Sequence, residues 1–132
     1  MSLSKEDIFG CSDTTIEKLH IDAWGGDVYV RSLTAAERDK FEASNLIKDK
    51  RTNLYDARMD NLRARLVAMS LCDETGKRLC TDADAAALGS RNAAAIALIY
   101  DTAARLSGIT KEDLAELAGE SSAGPEDVSQ SA

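Results

Sequence analysis

The chain is poor in the residues that most often carry chemistry. Its 132 residues include one histidine and one proline, and aromatic side chains make up 5%. A lone His20 leaves no second imidazole for a metal and no base for a serine or cysteine nucleophile elsewhere. Cysteine is present three times, as Cys11, Cys72 and Cys80, an odd number without C-x-x-C spacing. That pattern excludes a zinc ribbon and a disulfide framework, and points to free, reduced thiols in an intracellular setting. Long apolar runs are missing too. No stretch reaches the length of a membrane span, and the opening Met1-Ser-Leu-Ser-Lys-Glu-Asp has no apolar signal core.

What is there suits a soluble domain with a real core: 44% hydrophobic and 30% charged residues. The formal net charge of −7 argues against a general nucleic-acid binder, because a phosphate backbone is repelled by it. Residues 38–65 are locally basic, through Arg38, Lys40, Lys48, Lys50, Arg51, Arg58, Arg63 and Arg65. Five acids are interspersed among them and Glu37 stands just before, so the segment reads as a solvated helix face.

The expected fold is α+β and mostly helical. Residues 1–14 read as a flexible lead-in, 15–118 as one globular domain and 119–132 as a disordered acidic tail rich in Gly and Ser. A β-hairpin is expected over about 16–33. Leu19, Ile21 and Ala23 share one strand face, with Lys18, His20, Asp22 and Trp24 on the other. Taking Gly25-Gly26 as a two-residue turn at positive φ pairs Ile21 with Val30 and His20 with Arg31. Thr34-Ala-Ala-Glu37 is a capping box opening a helix over about 35–48. A second helix is expected at about 54–71, where Tyr55, Met59, Leu62, Leu66 and Met69 form a stripe. A small hairpin follows near 71–80, with Thr75-Gly76 as its loop and Asp73 opposite Arg78. Further helices are expected at about 82–89, 90–107, ended by Gly108, and 111–118, capped by Thr110.

Among the candidate sites, Asp82 and Asp84 resemble the opening of a calcium loop. The glycine and closing glutamate are missing, so they read as helix caps. Gly76-Lys77 lacks the rest of a phosphate loop. No catalytic, metal or cofactor site is expected. Trp24, beside the Gly-Gly turn, is either covered by a helix or offered to a partner. Phe41, Leu46 and Ile47, on the 35–48 helix, are the other candidate partner-binding residues.

Three stretches, in order, carry a family resemblance. They are Trp24-Gly-Gly-Asp-Val-Tyr-Val-Arg-Ser-Leu-Thr-Ala-Ala-Glu-Arg-Asp39, Arg63 through Asp84 with its Cys72-Asp-Glu-Thr-Gly-Lys-Arg78 turn, and Arg105-Leu-Ser-Gly-Ile-Thr-Lys-Glu-Asp-Leu114. Together they span about residues 16–118 and resemble the tail assembly chaperones of long-tailed bacteriophages. The resemblance implies a protein without enzymatic activity or cofactor. It would bind the tape measure protein, keep it soluble and help recruit tail tube subunits. The setting would be the cytoplasm of the host, for a phage or a prophage, and the protein would be absent from the mature virion. Self-association is left open, and neither nucleic acid nor membrane is an expected partner. The alternative is a minor structural or connector protein of the virion.

Overall fold

A computed structural model describes residues 2–110 and 112–113. The chain begins with a short helix, α1 (Lys5–Gly10), inside the segment expected to be a flexible lead-in. Ser4 and Asp7 form a capping box at its start, and none of its residues is buried. The hairpin follows as β1 (Ile16–Ile21) and β2 (Gly26–Arg31).

Its register differs from the expected one. Ile21 pairs with Gly26, His20 with Asp27 and Leu19 with Val28, so the strands close four residues earlier in the pairing sum. The connection is a single 3-10 turn over Asp22–Trp24, ended by Gly25 at φ +70°. Gly25 alone needs the left-handed region; Gly26 lies in the strand. The alternation of polar and apolar residues could not reveal the slip, because an even shift leaves every side chain on its original face. Leu19, Ile21, Val28 and Val30 still point together at the core, where Ile21 and Val30 are fully enclosed.

The helix after the hairpin starts where its capping box demands, as α2 (Ala35–Ser44), with Thr34 accepting from the Glu37 N–H. It ends four residues short of expectation. Asn45 closes it, and the chain turns into β3 (Leu46–Lys48), which pairs antiparallel with β4 (Tyr55–Ala57). The expected 54–71 helix therefore begins only at Leu62, as α3 (Leu62–Ser70), and Tyr55 and Met59 are not on its stripe. Asn45 at the end of one helix and Asn61 at left-handed φ before the next bracket this excursion.

From α3 the chain passes directly into β5 (Leu71–Cys72), which adds to β2 and gives the sheet order β1-β2-β5. The turn after it is one residue out of its expected register: Cys72 bridges to Arg78, and the Arg78 side chain reaches Asp82 instead of Asp73. All three cysteines are free. A 3-10 turn capped by Thr81 leads into α4 (Ala85–Leu88), then α5 (Ala93–Leu106) with Asn92 capping Ala95.

The end of α5 is a Schellman motif. Ile109 N–H donates to Ala104 O at 2.9 Å and Gly108 N–H to Arg105 O at 3.2 Å, with Gly108 at φ +74°. Ile109 is buried beside it. Thr110 and Asp113 form the reciprocal bonds of the next cap, and the rest of the expected 111–118 helix and the tail lie outside the described residues. The core sits where α3 and α5 cross beneath the sheet, around Leu66, Val67, Ile99, Tyr100 and Ala103.

Candidate partner-binding arm and the cavity at its base

The pair β3–β4 projects as an arm between α2 and α3. Its turn is built by local bonds: Asp49 N–H donates to Leu54 O at 2.8 Å, and Asn53, at φ +64°, donates to Asp49 O at 2.7 Å. Asparagine tolerates that left-handed backbone better than other side chains do. In this register Leu46 and Tyr55 stand on one face, while Ile47 and Leu54 stand on the other. All four are exposed, Leu54 at 67%, and Met59 just beyond the arm is exposed as well. A two-stranded ribbon alone is marginally stable in water. One that holds apolar groups out on both faces has the character of a contact surface.

The arm is tied to the body at its base. Arg58 N–H donates to Asn45 O at 2.6 Å, closing the ribbon on itself. Arg65, in the first half of α3, clasps both strands from below. Its Nε donates to Asp60 O at 3.1 Å and its Nη2 to Arg58 O at 2.8 Å. Its Nη1 donates to Ser44 O at 3.0 Å, to Ser44 Oγ at 2.8 Å and to Asn45 Oδ1. Arg65 is 9% exposed, and Asn45 is sealed at 1%. One buried cation thus satisfies the carbonyls that α2 and the arm leave open.

Next to this clasp lies a cavity of about 290 Å³ between α2, α3 and α4. Phe41, Met69 and Ala86 give it apolar walls, and Lys40, Arg58 and Arg65 bring cations to it. Asp82, at its edge, is held by Lys40 at 2.7 Å and by Arg78 at 3.0 Å. Those two bonds keep its carboxyl below the usual range despite partial burial.

The four residues singled out from sequence meet different fates. Leu46 and Ile47 are exposed on the arm, although on a strand and not a helix. Phe41 is 1% exposed and belongs to the core, and its place is the wall of the cavity and not the exposed face of the arm. Trp24 is half-buried against the same core, on a turn that lies beside α5. Leu54, Tyr55 and Arg65 are not among the residues the sequence singles out as partner-binding. The signal for them is the polar segment Lys48-Asp-Lys-Arg-Thr-Asn53 between the two expected helices, which holds the turn of the arm.

His20 sits between Asp27 (2.8 Å) and Asp22 (3.2 Å) on the exposed face of the hairpin, with its expected partner Arg31 elsewhere. Among the described residues no group of three His, Cys, Asp or Glu side chains gathers where a metal could bind. No helix among them is long and apolar enough to cross a membrane.

The fold is a small α+β body with a tethered arm of exposed apolar side chains. Comparison with known families assigns it. A family model described as phage tail assembly chaperone matches residues 13–120, and the chain belongs to that family. No curated protein and no solved structure gives a match. The protein therefore takes part in the assembly of bacteriophage tails.

Proposed function

We propose that the protein is a non-enzymatic chaperone that binds the tape measure protein of its phage or prophage. It would hold that partner soluble in the host cytoplasm, help recruit tail tube subunits, and be left out of the finished virion. The observation that carries this reading is the arm. Four large apolar side chains stand in solvent on its two faces, outside a core that is already complete without them. A long, helix-rich tape measure exposes apolar stripes before the tube surrounds it, and such stripes aggregate unless covered. The arm supplies the cover and the −7 charge of the chain supplies solubility. Residues 15–118 are the working domain in this reading, with Trp24 as a subsidiary contact on the neighbouring turn.

Co-expression of the chain with the tape measure protein, followed by pull-down and a solubility assay, is the test. The expected result is a soluble complex, with the tape measure insoluble when expressed alone. A tape measure that stays soluble alone and is not captured would reject the proposal. Recovery of this chain from purified particles would instead make it a virion component.

A further inference from the structure

We propose that the cavity at the base of the arm binds a carboxylate carried on a short apolar stem, as presented by a glutamate side chain or a chain end of the partner. Assigning the carboxylate to the partner rests on the arm being the partner-binding surface; the chemistry of the cavity does not depend on that reading.

The central observation is an imbalance of charge. Arg65 is nine-tenths buried, yet all its hydrogen bonds run to neutral oxygens. No carboxylate among the described residues lies within ion-pair distance of it. Its Nη2 makes one hydrogen bond and has a second hydrogen to give. Burial, then the like charge of Arg58, presses its pKa below the usual arginine value, and the more distant charge of Asp60 offsets them only in part. The cavity itself is lined by three cations, Lys40, Arg58 and Arg65, and one carboxylate, Asp82; Asp60, paired with Arg58, and Arg78, paired with Asp82, stand outside its lining. Three cations against one carboxylate make a positive spot on a chain whose net charge is −7. Buried cations are normally compensated by a counter-charge.

The walls decide what kind of anion fits. Phe41, Met69 and Ala86 offer no hydrogen bonds, so a fully hydrated inorganic ion would leave half its shell unsatisfied there. A carboxylate with a few methylenes meets both halves: the oxygens face Arg65, Arg58 and Lys40, and the stem lies on the apolar wall. The volume of about 290 Å³ is at the lower end for ligand sites, enough for one side chain and too small for a nucleotide cofactor.

The test titrates hexanoate into the full 132-residue chain and follows the Arg65 Nε–H and Met69 methyl signals by NMR, with hexanamide and inorganic phosphate as controls. Saturable shifts confined to the cavity are expected with hexanoate, and binding at least about tenfold weaker for either control, a factor worth about 1.4 kcal/mol. Equal binding of hexanamide would show an apolar crevice and overturn the proposal. Equal binding of phosphate would show unspecific attraction and overturn it too, as would the absence of saturation.

Replacing Arg65 endangers the arm, so the variant is Lys40→Gln, whose exposed side chain leaves the fold alone; it should weaken hexanoate at least about threefold, well under 1 kcal/mol. Unchanged affinity in that variant would count against the site. Two amphipathic helical peptides then separate the sources, one with an internal Glu and an amidated end, the other with Gln and a free end. The one that displaces hexanoate names the source, and failure of both overturns the assignment to a partner protein. Loss of tape measure capture with hexanoate binding intact rejects the chaperone proposal alone, and the reverse rejects the carboxylate site alone.

Discussion

Arg31, the last residue of β2, and Glu37, in the first turn of α2, meet in a two-bonded bridge, Nη1 to Oε1 at 3.2 Å and Nη2 to Oε2 at 2.7 Å. The same Glu37 Oε1 accepts from Thr34 N–H at 2.9 Å, so one carboxylate both caps the helix and locks it to the sheet. Arg31 Nη2 also donates to Met69 O at 3.0 Å, which ties α3 into the junction.

This junction has an acid limit. Burial works against the ionised form of Glu37, but the Arg31 and Thr34 hydrogen bonds and the Arg31 charge outweigh it, and its pKa lies below the usual 4.5. A depressed carboxylate pKa stabilises fully above the unfolded value and is lost as pH falls through the folded one. Glu37→Gln should therefore cost about 1.5–3 kcal/mol at pH 7, the range for hydrogen bonds to charged groups. The gap between variant and wild type in urea unfolding should close as pH drops below about 4.5. A gap that is constant down to pH about 3 would show that the bridge contributes through packing alone.

Arg65 should govern the arm more than the core. Arg65→Lys keeps a charge but cannot reach Asp60, Ser44, Asn45 and Arg58 at once. A loss of about 2–4 kcal/mol is expected, given a buried Asn and several carbonyls left unpaired. Hydrogen exchange makes the distinction. The Arg58 and Asp49 amides, which close the arm, should lose protection by a larger factor than those of Ile99 and Ala103 in α5. Uniform loss would show global destabilisation only.

Exposed and buried apolar residues of one neighbourhood should behave oppositely. Leu46→Asp with Ile47→Asp should abolish tape measure capture while leaving the melting temperature and circular dichroism close to wild type, because both side chains stand in solvent. Phe41→Ala should instead cost about 3–5 kcal/mol, as for an enclosed aromatic, whatever it does to binding. Retained capture in the Asp pair would move the contact off the arm.

Gly76 and Gly26 provide a backbone control. Gly76 has φ +92°, and an added Cβ would lie 3.1 Å from Ile16 Cδ1. Alanine there should cost about 1–2 kcal/mol from the left-handed backbone alone. At Gly26 an added Cβ meets open space at ordinary φ, so Gly26→Ala should be neutral within about 0.5 kcal/mol. Thermal unfolding of the two variants makes the comparison. Equal costs would contradict the observed turn.

Capping chemistry was the most readable part of the chain. Thr34 and Thr81 each begin what their side chains demand, Thr110 and Asp113 make the reciprocal bonds of a cap, and Gly108 stops α5 at the expected place. Such signals are local, involving side chains three or four residues apart. The arm was illegible for the opposite reason. Three-residue strands hold too few alternations to show a period of two, and Tyr55, Met59 and Leu62 fit a helical stripe by chance. The hairpin slip was invisible because it is even. Nor does spacing reveal that Arg65, one of eight cations scattered over 38–65, is the one turned inward; that depends on carbonyls supplied from residues 44, 58 and 60.

The bond from Arg58 N–H to Asn45 O brings both ends of the arm to one point. Everything between those residues can then be lengthened or trimmed, two residues at a time to preserve which side each group faces, without moving either flanking helix. One helical body can in this way carry arms of different length and sequence, redrawn between two fixed anchor residues.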